Sequence, residues 1–205
     1  NLGAYPFGED NLVPLTYEDG SVKVFVNGVL QAAPTVVSAA PLTLGGITVP
    51  AGGITEVAYA AAINRYAPLA TGGTIVNTAT ISGARLTTPL TVTETVTVAE
   101  TARLSISKEI SPTTVSENAR LTYTFRIRNY GNTAATEADN AVISDTFDPR
   151  LSDLTVTYNG TPWTAGTDYV YDATTGIFTS VAGRVTVGAA TFTTDPVSGA
   201  VTVTP

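Results

Sequence analysis

Cysteine, methionine and histidine are absent from all 205 residues. Their absence excludes disulfides, zinc sites built on thiolate or imidazole, and nucleophilic triads that need Cys or His. It also removes the side chains that oxidise most readily, which suits an exposed surface. A thiol-free chain does not by itself argue for a reducing compartment, since a surface protein can dispense with disulfides. Charge is scarce as well: Asp, Glu, Lys and Arg make up 13% of the chain, about half the usual 25%. The net charge of −7 leaves no basic stripe to neutralise phosphates, so no nucleic-acid partner is expected. No apolar run approaches eighteen residues, so membrane insertion is not expected either. No signal peptide is visible at Asn1, and a secreted protein would therefore be represented here in mature or excised form.

What remains is a chain rich in Thr, Val, Gly and Pro, with 43% hydrophobic residues. β-branched side chains favour extended backbone. Apolar and polar residues alternate with period two throughout, between clusters of Gly, Pro, Asn and Asp, and this predicts an all-β protein. Val22, Val24 and Val26 share one face before an Asn27-Gly28 hairpin signal, and Leu154, Val156 and Tyr158 do the same before Asn159-Gly160. "LTLGGITVPAGG" from Leu42 and "VTVGAATFTTDPVSGAVTVTP" from Val185 share an order of strand, glycine, strand and proline.

This repetition, and a length suited to two sandwiches of about 100 residues each, predicts two tandem β-sandwich modules, 1–101 and 102–205. "TVTETVTVAET" from Thr91 reads as the last strand of the first module, and Leu121, Tyr123, Phe125 and Ile127 as an inner face of the second. Neither module is complete. The first has no counterpart of 104–144 and the second none of 58–98. A sandwich short of strands has open edges and an uncovered core, which is a template for pairing with another chain.

The segment 121–151, "LTYTFRIRNYGNTAATEADNAVISDTFDPRL", resembles a bacterial conserved-repeat family of Ig-like surface-protein domains, long labelled a domain of unknown function. Its marks are a Lys strand, a Tyr-x-aromatic strand ending in Asn-x-Gly, and a strand ending in Asp. "TIVNTATISG" from Thr74 resembles the closing strand of that domain, and "NLGAYPFGEDN" resembles the stretch just after its Asp strand. The resemblance implies Ig-like folds in secreted, repeat-rich proteins of the bacterial cell surface, and it names no ligand. Relative to the family the chain starts after one Asp strand and stops before the next closing strand. The offset reads either as a cut or as a device by which neighbouring subunits supply the missing strands, giving a head-to-tail fibre or stalk. An adhesin segment whose loops bind a host or matrix ligand is the alternative. Neither reading is enzymatic.

Few residues carry reactive chemistry. Of two lysines, Lys23 lies among alternating valines and reads as solvated. Lys108 shares parity with Leu104, Ile106 and Ile110, which aims its ammonium at the core; Asp145 is in phase with Ile143 and Phe147, and Asn77 with Ile75, Ala79 and Ile81. A desolvated Lys, Asn and Asp cluster is able to form an isopeptide bond. Because Asn77 belongs to the other module, that bond would join two subunits. Its rivals are an ordinary Lys108–Asp145 salt bridge, or a bulge that returns Lys108 to solvent. Trp163, with Tyr169 and Tyr171, is a candidate binding patch, against the alternative that Trp163 covers its own core. No cofactor is expected; Ca²⁺ is the one metal considered, at Glu9, Asp10, Glu18 and Asp19 or at Glu137 and Asp139, without the spacing of a calcium loop.

Overall fold

The computed structural model describes residues 1–116 and 119–205, and strands make up 45% of the chain. The one helical element among the described residues is a 3₁₀ turn at Glu137–Asp139. Contacts divide the chain into two compact units, Asn1–Ala99 with Phe192–Val203, and Glu100–Thr191 with Thr204–Pro205.

The first unit opens with short strands: Tyr5–Phe7 (β1), Asp10–Leu12 (β2), Leu15–Tyr17 (β3), Lys23–Val26 (β4) and Val29–Leu30 (β5). Thr35–Ala39 (β6), Leu42–Gly45 (β7), Thr55–Ala58 (β8) and Ala61–Ile63 (β9) follow, then two long strands, Thr74–Ile81 (β10) and Leu90–Thr97 (β11). β4 lies between β5 and β8, while β1–β2, β3–β9, β6–β7 and β10–β11 form antiparallel pairs. Val22 and Val24 are buried with Leu2 and Tyr17, and Val13, Leu15, Leu42, Leu44 and Ile47 pack around them. Lys23, of opposite parity, is exposed. Asn27 (φ 50°) and Gly28 (φ 79°) both take the left-handed backbone that a two-residue hairpin turn requires.

The second unit contains Leu104–Ser111 (β12), Thr122–Asn129 (β13), Ser144–Thr146 (β14), Val156–Tyr158 (β15), Thr161–Trp163 (β16), Tyr169–Asp172 (β17) and Ile177–Ser180 (β18). β12–β13 and β15–β16 are antiparallel pairs, and β18 lies between β14 and β17. Ile143, Phe147, Tyr169, Phe178 and Val185 form the buried core, with Tyr123, Phe125 and Ile127 of β13 against it. The turn at Asn159 (φ 48°) and Gly160 (φ 81°) repeats the earlier one.

The last hairpin, Thr191–Thr194 (β19) with Val201–Thr204 (β20), departs from the division at 101/102 expected from sequence. Its Val201 N–H donates to the Arg65 carbonyl at 2.8 Å. Gly199 sits so close to Leu12 that a Cβ there would lie 2.1 Å from the leucine Cδ1. These contacts return Phe192–Val203 to the first unit, which linear order alone does not reveal.

Side-chain amides tie the loops together in place of disulfides. Asn129, 1% exposed, accepts from the Arg103 and Gly131 N–H groups, both at 2.8 Å. Its amide nitrogen donates to the carbonyls of Thr133 and Gly188, at 2.7 and 3.0 Å. Asn64 does similar work in the first unit, donating to the Val13 carbonyl and accepting from the Tyr66 N–H. Asn129→Ala would leave four backbone groups without their partner. We expect it to lower the unfolding free energy by about 2–4 kcal/mol, read from denaturant unfolding curves of the variant against the parent.

Candidate assembly faces and the Lys108 site

Two hairpins with eight-residue strands each carry several exposed apolar side chains. In β10–β11 the register sets Ile75 opposite Val96, Asn77 opposite Glu94, Ala79 opposite Val92 and Ile81 opposite Leu90. Directly opposed residues point to the same side, so these eight share one face. Ile75 is buried, but Ile81, Leu90, Val92 and Val96 are exposed, Val92 by 60%. The other face is mostly threonine, with Thr78 and Thr80 bonded across to Thr93 and Thr91. All of β11 is exposed.

β12–β13 shows the same condition in the second unit. Leu104, Ile106, Lys108 and Ile110 stand opposite Asn129, Ile127, Phe125 and Tyr123. The β13 members pack on the core, whereas β12 is exposed along its whole length, with Ile106 at 58%. Arg126 and Glu109 pair at 3.4 Å on the opposite, solvated face. Among the described residues, β11 and β12 have no ladder partner beyond their hairpin mates.

Lys108 lies on the inward face, as its parity predicts, but β12 is uncovered and the side chain remains 42% exposed. Full burial, expected from sequence, is not reached, because every residue of β12 is exposed and the contacts made by Lys108 cover only part of it. The ammonium contacts the Asp145 carboxylate at 2.5 Å, with that side chain 17% exposed. It also stands 5.0, 5.4 and 5.7 Å from the ring centroids of Tyr123, Phe147 and Phe125. Each ring adds attraction for the cation. Lys108 and Asp145 are therefore brought together, from β12 and β14.

Asn77 belongs to the other unit, on the β10–β11 face, and is half-buried. Its Oδ1 accepts from the Leu2 N–H at 3.1 Å and from the Asn1 nitrogen at 3.3 Å, and its Nδ2 donates to the Tyr59 hydroxyl at 3.4 Å. Glu94, its cross-strand neighbour, was not singled out by sequence reasoning. The Val-Thr-Glu alternation of β11 held the signal, but the pairing register was needed to read it.

The aromatic residues do not form one open patch. Tyr169 is 6% exposed, its ring 5.4 Å from Phe178 inside the core. The Tyr171 hydroxyl bonds the Leu151 backbone, and Trp163 stacks on Tyr158 at 5.0 Å beside the core cluster. Of the three residues of the expected patch, Tyr169 is buried, and Trp163 and Tyr171 are partly buried against the core cluster. Among the described residues no group of three or more carboxylates is placed to hold a metal ion. Glu9, Asp10, Glu18 and Asp19 are exposed, and Asp139 is engaged with the Thr136 N–H and hydroxyl at the 3₁₀ turn. An open hollow of about 320 Å³ lined by Val24, Val26, Pro34 and Ile47 has no ionisable side chain in its wall.

Three aspartates serve turns. Backbone N–H groups, those of Thr136, Thr174 and Ser198 in turn, hold Asp139, Asp172 and Asp195 below the usual carboxylate range, assisted by the Thr136, Thr175 and Ser198 hydroxyls. A carboxylate with a depressed folded-state pKa contributes stability above its unfolded pKa and loses it as pH falls through the folded value. Thermal melts should therefore be flat in this contribution near neutrality and decline below about pH 4. The Asp→Asn variant at all three positions should show a shallower acid decline.

No family model, no curated protein and no solved structure matches this chain.

Proposed function

We propose that the protein is a non-catalytic structural subunit of a bacterial extracellular surface assembly, a fibre or stalk. Its two units are Ig-like sandwich modules in tandem, each short of strands that a neighbouring copy supplies. The observation that carries this reading is the pair of long hairpins whose inward-parity faces are apolar and whose outer strands, β11 and β12, are exposed throughout. Contiguous apolar faces and unpaired edges of this kind favour association.

The occupant is a second copy of the chain, because the two faces complement one another. Both hairpins have strands of eight residues, both are apolar at alternate positions, and each face carries one charged group near its middle. That group is Glu94 on one and Lys108 on the other. Two different patches that fit each other make a heterologous contact, which propagates as an open polymer unless the rotation closes a ring.

Negative-stain microscopy of the purified chain should show filaments. Val92→Lys and Ile106→Glu each place a charge on one exposed face and should each abolish them. Unfolding free energies should stay within about 0.5 kcal/mol of the parent, as for surface sites generally. An equimolar mixture of the two variants retains one good copy of each face and should stop at a dimer. A monodisperse parent monomer at every concentration, binding a glycan or matrix protein instead, would overturn the reading in favour of an adhesin.

A further inference from the structure

We infer that assembly is sealed by a covalent amide between Lys108 of one copy and Asn77 of the next. This rests on the head-to-tail contact proposed above, and it names the chemistry at the centre of that contact.

Each uncovered face presents one half of the reaction. On β12–β13 the nucleophile stands among three aromatic rings with a carboxylate 2.5 Å away. On β10–β11 a half-buried carboxamide stands between Ile75 and Ala79, directly opposite Glu94 and flanked by Val92 and Val96. Its carbonyl oxygen already accepts an N–H hydrogen bond from Leu2, which draws electron density from the carbon and favours attack on it. Neither half is complete alone. Asp145 and Lys108 share one unit, and Asn77 lies in the other.

Docking supplies what the free subunit lacks, which is removal of water from the ion pair. With water removed, and walls that apart from Glu94 are mainly aliphatic and aromatic, a neutral amine and a neutral carboxylic acid are favoured over ammonium and carboxylate. One proton then passes from Lys108 Nζ to Asp145 across their hydrogen bond. The Nζ lone pair attacks Asn77 Cγ to form the C–N bond, and protonated Asp145 donates to the developing oxyanion on Oδ1. As this intermediate collapses, the Cγ–Nδ2 bond breaks, and Nδ2 leaves as ammonia carrying the second proton lost by Nζ. A primary amine and a primary amide give a secondary amide and ammonia, with no oxidant, reductant or further reactant. Asp145 ends the cycle as it began, apart from the proton it shuttled.

Filaments of the parent chain, boiled in SDS, should run as a ladder of multiples. Tryptic digestion should miss cleavage after Lys108 and yield a peptide joining Lys108 to Asn77, lighter than the sum of its parts by about 17 Da, the mass of ammonia. Lys108→Arg keeps the cation, its carboxylate partner and its ring contacts but has no usable nucleophile. Asn77→Ala removes the electrophile. Both should still form filaments by microscopy, and both should fall to monomer in SDS. Asp145→Asn should slow appearance of the ladder by about 100-fold, the usual scale of a lost proton carrier. Parent filaments that dissolve wholly to monomers, with both peptides unlinked, would overturn the bond and leave the assembly intact. A 17 Da loss confined to a monomer band would overturn the link between copies. Absence of filaments in the parent would remove the assembly on which the bond depends.

Discussion

An antiparallel hairpin has two faces, and its opposed side chains commit each face as a whole to solvent or to packing. In this protein one face of β10–β11 is threonine and the other aliphatic, while β12–β13 carries charged and polar groups outside and aliphatic and aromatic groups inside. The inner strand of each hairpin places side chains on its unit's core, as Ile75 and the β13 aromatics show, whereas the outer strand is exposed along its length, with Lys108 of β12 reaching in to Asp145. Everything proposed for the molecule depends on this half-satisfied condition.

The energetic scale explains why contact and chemistry go together. Burying the exposed aliphatic groups of the two faces is worth about 1 kcal/mol for each half-exposed side chain. Association itself costs on the order of 4–15 kcal/mol in lost freedom. Hydrophobic docking on these faces alone therefore yields a reversible contact of ordinary strength. In the proposed fibre, a chain without cysteine has no disulfide with which to reinforce that contact. An amide between lysine and asparagine is available to a chain of this composition and is inert to reduction.

Side-chain amides tie the loops of this protein by hydrogen bonds. Asn129 and Asn64 each gather backbone groups from separate loops, and short carboxylates close turns at Asp139, Asp172 and Asp195. Low charge and abundant Thr, Asn and Ser are consistent with such local bonding. These side chains are each placed against particular backbone donors or acceptors, and among the described residues the ion pairs are three, Lys108–Asp145, Arg126–Glu109 and Arg184–Asp168.

Much of this was legible in the order of residues alone. Period-two alternation with β-branched residues determines an all-β chain, because a strand has no other way to segregate its side chains. The Asn-Gly pairs determine their hairpin turns, because only such residues accept left-handed backbone at both central positions without strain. The same parity places Lys108 and Asp145 on inward faces. Tertiary structure alone decided how far inward: Lys108 meets Asp145 yet is left half-open on an exposed strand, and Tyr169 is lost to the core because a large ring gains more by burial than by exposure. It also decided that Phe192–Val203 packs with the first unit, and that Glu94 stands opposite Asn77. Local pattern tells a side chain which face it shares, but only contacts between residues distant in sequence determine what, if anything, covers that face.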